Sequence, residues 1–157
     1  MATLHNEIVI SAPIERVWKA LSEIENLDKY DPTVLKSTAI SQSRRGVGAK
    51  RKVVMRDGKN WFEEQCTVWK PNESLSYELT ACSFPIHKLS HSYSFETRNS
   101  KVKVKQVMQY KVKFGWFGKI LDDLMIRKQS DSGIKRFLSG LKAYAENSTN
   151  DIPNGLV

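Results

Sequence analysis

Two of the chain's three histidines, His87 and His91, stand four residues apart in "FPIHKLSHSYSF", residues 84–95. On a helix this spacing stacks two imidazoles on one face, within reach of a single metal ion. The flanking residues argue for a strand instead. His87, Leu89, His91, Tyr93 and Phe95 alternate with Lys88, Ser90, Ser92, Ser94 and Glu96, so one face is apolar and carries both histidines. Four strand residues span about 13 Å at roughly 3.3 Å each, too far for both rings to hold one zinc at about 2 Å. A shared metal is disfavoured, and no cofactor is expected. Two readings stay open. Each ring is packed and hydrogen-bonded within the sheet, or at least one offers a polar handle on an apolar wall. Histidine also suits acid–base work near neutral pH.

A second pair of chemical interest is Arg51 and Glu64. Arg51 shares strand parity with Val53 and Met55, and Glu64 shares it with Phe62, Cys66 and Val68. If both point inward from adjacent strands, they form either a structural ion pair or an anchor for a ligand carboxylate or hydroxyl, because an isolated buried charge is costly. A bulge would shift the parity by one and put Trp61 and Glu63 inside instead. In "KVKVKQVMQYKVKF", residues 101–114, the even positions Val102, Val104, Met108, Tyr110, Val112 and Phe114 point in, with Gln106 among them. Lys101, Lys103, Lys105, Lys111 and Lys113 then form a solvated face. A buried Tyr110 hydroxyl needs a partner, from the protein or a ligand. Trp116 and Phe117, between Gly115 and Gly118, either staple the following corner or border an opening.

These side chains need elements to place them. "LHNEIVI", residues 4–10, reads as a strand. "SAPIERVWKALSEI" reads as a helix, with Pro13 in its first turn and Ile14, Val17, Trp18, Leu21 and Ile24 on one stripe. "ENLDKYDP" predicts a second short helix that stops before Pro32. Period-two patterning then predicts six strands, near 34–42, 48–56, 60–70, 74–82, 87–97 and 101–114. Their connections are short, and Asp57-Gly58 is a hairpin signal, so neighbours pair antiparallel. A last strand this long coils, and the sheet should curl. Helical periodicity returns from "GWFGKIL" through Leu121, Leu124, Met125, Ile134, Phe137, Leu138, Leu141 and Tyr144. The helix spans about 30 residues, or breaks in the polar "RKQSDSG". It is the only element long enough to cover the sheet, and a strongly bent sheet closed by one helix tends to leave a space between them.

With 157 residues the chain fits one domain. No apolar run reaches membrane-spanning length, and the first residues lack the pattern of a signal peptide. Cys66 and Cys82 are expected as reduced thiols of a cytoplasmic protein. The balance of 25 basic against 17 acidic residues gives +8. Six basic residues crowd "RRGVGAKRKVVMR", residues 44–56, with no acidic one. Such a cluster raises binding to nucleic acid or an anionic surface, but the aromatics fall on inward positions and are not displayed as stacking platforms. "NSTNDIPNGLV" is expected to fray.

The order of elements, opening with "ISAPIERVWKALSEIENLDKYDPTV", resembles the START-like, Bet v 1-like superfamily, whose bacterial members are called SRPBCC or polyketide cyclase/dehydrase-type proteins. The resemblance rests on Ile10 through Leu21, on Tyr30 to Pro32 with Tyr in place of Trp, and on Gly46, Val47, Gly48 and Arg51. It continues in Glu64 with Trp69, and in Leu75, Tyr77 and Leu79. It covers about residues 6 to 146. It implies an α+β helix-grip fold: a curved antiparallel sheet of about seven strands wrapped on a long C-terminal helix, with two short helices after the first strand. It also implies a single domain over 1–147 and a flexible tail over 148–157. The implied function is binding or transport of a small hydrophobic ligand, a lipid, polyketide-like aromatic or isoprenoid, between sheet and helix. The alternative is a cyclase/aromatase- or hydratase-type enzyme using the same cavity. No catalytic residue is assigned. Candidate ligand contacts are Arg51, Val53, Glu64, Tyr77, His87, His91, Tyr93, Met108, Tyr110 and Phe137. Monomer and homodimer are both compatible, without nucleic acid or stable membrane insertion.

Overall fold

A computed structural model describes residues 1–121 and 125–147. Strand β1 (Ala2–Ile10) leads into helices α1 (Ile14–Ser22) and α2 (Leu27–Tyr30). Six strands follow: β2 (Val34–Ala39), β3 (Lys50–Met55), β4 (Trp61–Lys70), β5 (Ser74–Cys82), β6 (Ile86–Arg98) and β7 (Lys101–Val112). Helices α3 (Gly115–Leu121) and α4 (Arg127–Asn147) close the described chain. The strands form one sheet in the order β1-β7-β6-β5-β4-β3-β2. Every neighbouring pair is antiparallel. Turns of two to five residues join β3 through β7 in sequence, a ten-residue loop joins β2 to β3, and α1 and α2 carry the chain from β1 at one edge of the sheet to β2 at the other.

The sheet bends at four irregularities: at Leu35 in β2, at Thr80 in β5 opposite Glu63 and Glu64, between Cys66 and Val68 in β4, and at His87 in β6. Each extra residue adds local twist. The concave face carries Val53, Cys66, Leu75, Tyr77, Tyr93 and the even residues of β7, all buried except the partly covered Val112 at its end. Fully burying a side chain of valine or leucine size contributes about 1.5–3 kcal/mol, which makes this face and its cover the main store of stability.

Helix α1 is amphipathic. Pro13 precedes its first residue, and Val17 and Leu21 are buried. Trp18 meets Trp69 and Phe95 edge-on, with centroids 5.3 and 5.9 Å apart. Helix α4 lays Ile134, Phe137, Leu138, Leu141 and Ala145 onto the core. The polar "RKQSDSG" does not break this helix, contrary to one of the two expectations. Gln129 and Ser130 of this stretch border the space beneath the helix, while on its outer side Lys135 Nζ meets Asp131 Oδ2 at 2.6 Å and Arg136 donates to Ser132 Oγ. Gly140 has a packing role: a Cβ there would lie 1.9 Å from the carbonyl oxygen of Tyr30. The absence of a side chain lets the end of α2 approach α4. Leu124 and the expected tail over 148–157 lie outside the described residues.

Candidate functional site

Between the concave sheet and α4 lies a cavity of about 420 Å³. Its apolar wall includes Met55, Phe62, Leu89, Met108, Ile134 and Phe137. Its polar lining includes Arg51, Glu64, His91, Gln106 and Asp31. A wider depression outside α4, lined by Lys128, Asp131, Lys135 and Arg136, is open and shares none of the buried polar groups.

Arg51 of β3 and Glu64 of β4 are directly opposed in register. Arg51 donates to Glu64 Oε1 from Nε at 2.6 Å and approaches it with Nη2 at 2.5 Å. Both side chains are almost wholly buried. Burial favours a neutral guanidine, but the combined pull of Glu64 and two nearby tyrosines holds the guanidinium charged above its ordinary range. Tyr77 lies beneath it: Arg51 Cζ sits 4.6 Å from the ring centroid. The Tyr77 hydroxyl donates to the Leu21 carbonyl at 3.3 Å, tying sheet to α1. Neighbouring Cys66 donates to the Val68 carbonyl, and burial pushes its thiol up to about 11.

His91 of β6 pairs across to β7. Its Nδ1 lies 3.0 Å from Gln106 Nε2. An amide NH₂ only donates, so in this arrangement Nδ1 accepts and a neutral ring carries its proton on Nε2. Burial, the largest influence, depresses the His91 pKa; nearby Glu64 opposes that and Arg51 adds to it. Tyr93, two residues on, lines the same cavity and packs on Phe137 with centroids 5.9 Å apart. Burial raises its hydroxyl well above the usual range.

The ten candidate residues therefore separate. Arg51, Glu64, His91, Tyr93, Met108 and Phe137 line the cavity. Val53, Tyr77 and Tyr110 are fully buried in the core and are not part of the lining. His87 departs from the expected shared face with His91. Ile86 pairs with Val112 and Lys88 with Lys111, so His87 is the extra residue of a bulge and is exposed. Ile86 takes the inward place. Trp116 and Phe117 do not staple their corner, since both are exposed. Phe114, expected inward by parity, is exposed too, because the strand ends at Val112. Among the described residues no group of three or more His, Cys, Asp and Glu is placed to hold a metal ion.

Several lining residues are absent from the candidates that sequence reasoning picks out. Met55, Phe62 and Leu89 had a signal, because each shares parity with a chosen neighbour. Gln106 had one as well, being a polar residue on an otherwise apolar face. Asp31 and Thr33 had none: they meet in a turn in which Asp31 Oδ1 accepts from the Thr33 amide at 2.9 Å and its hydroxyl at 2.7 Å.

A curved seven-stranded sheet that grips a C-terminal helix over a cavity defines a helix-grip protein of the START-like, Bet v 1-like class. Solved structures with this fold include TTHA0849 from Thermus thermophilus, at 18% identity and TM-score 0.77, covering 92% of this chain and 97% of that one. A START superfamily protein from Mycobacterium smegmatis matches at 12% identity and TM-score 0.75, with the same coverages of 92% and 97%. Ara h 8.0201 matches at 18% identity and TM-score 0.73, again over 92% and 97%. No curated protein matches the chain. The chain belongs to the family described as "Polyketide cyclase / dehydrase and lipid transport", whose pattern it matches over residues 1–146.

Proposed function

We propose that this protein binds and carries a small, largely apolar molecule in the cavity between sheet and α4. The observation that supports this most is the cavity's make-up: an apolar wall with a few convergent polar groups, the usual composition of a small-molecule site. Its volume of about 420 Å³ suits a compact guest such as a lipid fragment, an aromatic polyketide or a short isoprenoid. Arg51 Nη1 and Gln106 Oε1 are buried without a hydrogen-bond partner among the described residues. A ligand hydroxyl, accepting from Arg51 Nη1 and donating to Gln106 Oε1, would answer that demand after a small side-chain adjustment. Two free cysteines accord with a reducing, cytoplasmic setting.

The His91 ring supports a second reading, a cyclase- or hydratase-type enzyme using the same cavity. Held neutral on the cavity wall with its proton on Nε2, it is suited to hydrogen-bond to and polarise an oxygen of a bound substrate. Native mass spectrometry and solvent extraction of the purified protein test the carrier reading. A co-purifying apolar molecule released unchanged is the expected result. A carrier keeps binding that molecule in His91→Ala with altered preference. Loss of turnover of that molecule in His91→Ala, with binding retained, would favour the enzyme.

A further inference from the structure

The corner between β7 and α3 presents apolar side chains to solvent. Phe114 is 69% exposed, Trp116 67% and Phe117 61%, and Ile120 and Met125 are exposed at 49% and 55%. The backbone causes this display. Phe114 and Gly115 both take positive φ, at 79° and 52°, a left-handed turn that a bulky residue seldom adopts. The chain leaves β7 abruptly there. The Trp116 and Phe117 rings pack on each other, 3.9 Å between centroids, but not onto the core. Exposed aromatic side chains clustered in this way mark an interaction surface.

We propose that this corner docks the protein onto an anionic bilayer surface, with Phe114, Trp116 and Phe117 entering the headgroup layer. Charge complementarity selects this occupant. Residues 111–128 contain five basic residues and two acidic ones within a chain of net charge +8. Lys111 and Lys113 are exposed at the end of β7 beside the aromatic cluster, and Arg127 and Lys128 are exposed at the start of α4. Tryptophan favours the membrane–water boundary, and flanking Lys and Arg are drawn to anionic headgroups. In a two-fold pairing of this patch with itself, each lysine cluster would meet its own copy. The two rings face each other and do not stand apart as platforms for nucleic-acid bases. The location is apt as well. The Lys113 amide donates to the Pro85 carbonyl at 2.9 Å, and Phe84, Pro85, Ile86 and Ile126 line the cavity. The docked surface therefore adjoins one edge of the cavity. No helix among the described residues is long and apolar enough to cross a membrane, so this attachment is peripheral.

Co-sedimentation of the full chain with vesicles tests the proposal without reference to any cavity ligand. Vesicles of phosphatidylcholine alone are compared with vesicles containing phosphatidylglycerol, across a salt series. Binding to the anionic vesicles that weakens as salt rises is expected. Trp116→Ser/Phe117→Ser and Lys111→Glu/Lys113→Glu should each lower the partition coefficient by about tenfold. Because all four side chains are exposed, both variants should keep the wild-type thermal midpoint. Equal recovery with and without vesicles overturns the proposal, as does undiminished vesicle binding by the aromatic variant. Light scattering that shows a dimer split by Trp116→Ser/Phe117→Ser would assign the corner to a second copy and also overturn it.

Discussion

The buried Arg51–Glu64 pair governs the chemistry of individual residues in this cavity. Removing one partner leaves a charge in an apolar setting, which costs about 3–5 kcal/mol. Arg51→Met should therefore lower stability by that order in a denaturant titration. Arg51→Met/Glu64→Leu should recover most of the loss, and a strictly additive result would contradict the coupling. His91 makes a pH prediction. Its pKa in the folded chain is depressed below the ordinary value of about 6.5, mainly by burial. Below that value the unfolded chain binds the proton more readily, so stability falls as pH drops through this window and is fully present above it. Thermal midpoints of wild type should decline on acidification below about pH 6.5, and those of His91→Asn should decline less. Equal slopes would show that the ring is not protected from protonation. At this scale the sequence was informative wherever alternation ran unbroken. Parity alone brought Arg51 and Glu64 to one face. It failed at His87, because a single inserted residue in β6 reverses which side chains face inward, and no local residue type announces that bulge.

Among the elements, α4 depends on its approach to α2. Gly140 reads in sequence as a weak point of a helix. Its packing shows the opposite, since the Tyr30 carbonyl occupies the place of a Cβ. Tyr30 then meets Phe137 and Tyr144, each with centroids 5.6 Å away. Gly140→Ala should destabilise by about 3 kcal/mol despite alanine's higher helix propensity, with calorimetry as the check. A stabilised variant would mean that α2 and α4 are not in close contact. Strand existence and pairing were legible because short turns leave adjacent strands little choice but antiparallel neighbours. The start of α4 was less legible. Its first turns are polar on the outside, and that composition resembles a break until the outer ion pair of Asp131 and Lys135 is in view.

For the molecule as a whole, the decisive feature is a curved sheet and a helix that do not fill the space between them. The curl was legible from the long last strand, and the class of fold from the order of elements. The cavity's contents were not, because which side chains reach the void depends on four bulges and on the path of α4. The direct measurement is titration of an apolar fluorescent probe into wild type and into Leu89→Trp, which puts a bulky indole in place of a leucine on the cavity wall. Wild type should bind the probe saturably and one-to-one, and the variant should lose about tenfold or more in affinity. Binding of equal strength by both proteins would contradict the central claim, because the probe would then be held somewhere other than the space beneath α4.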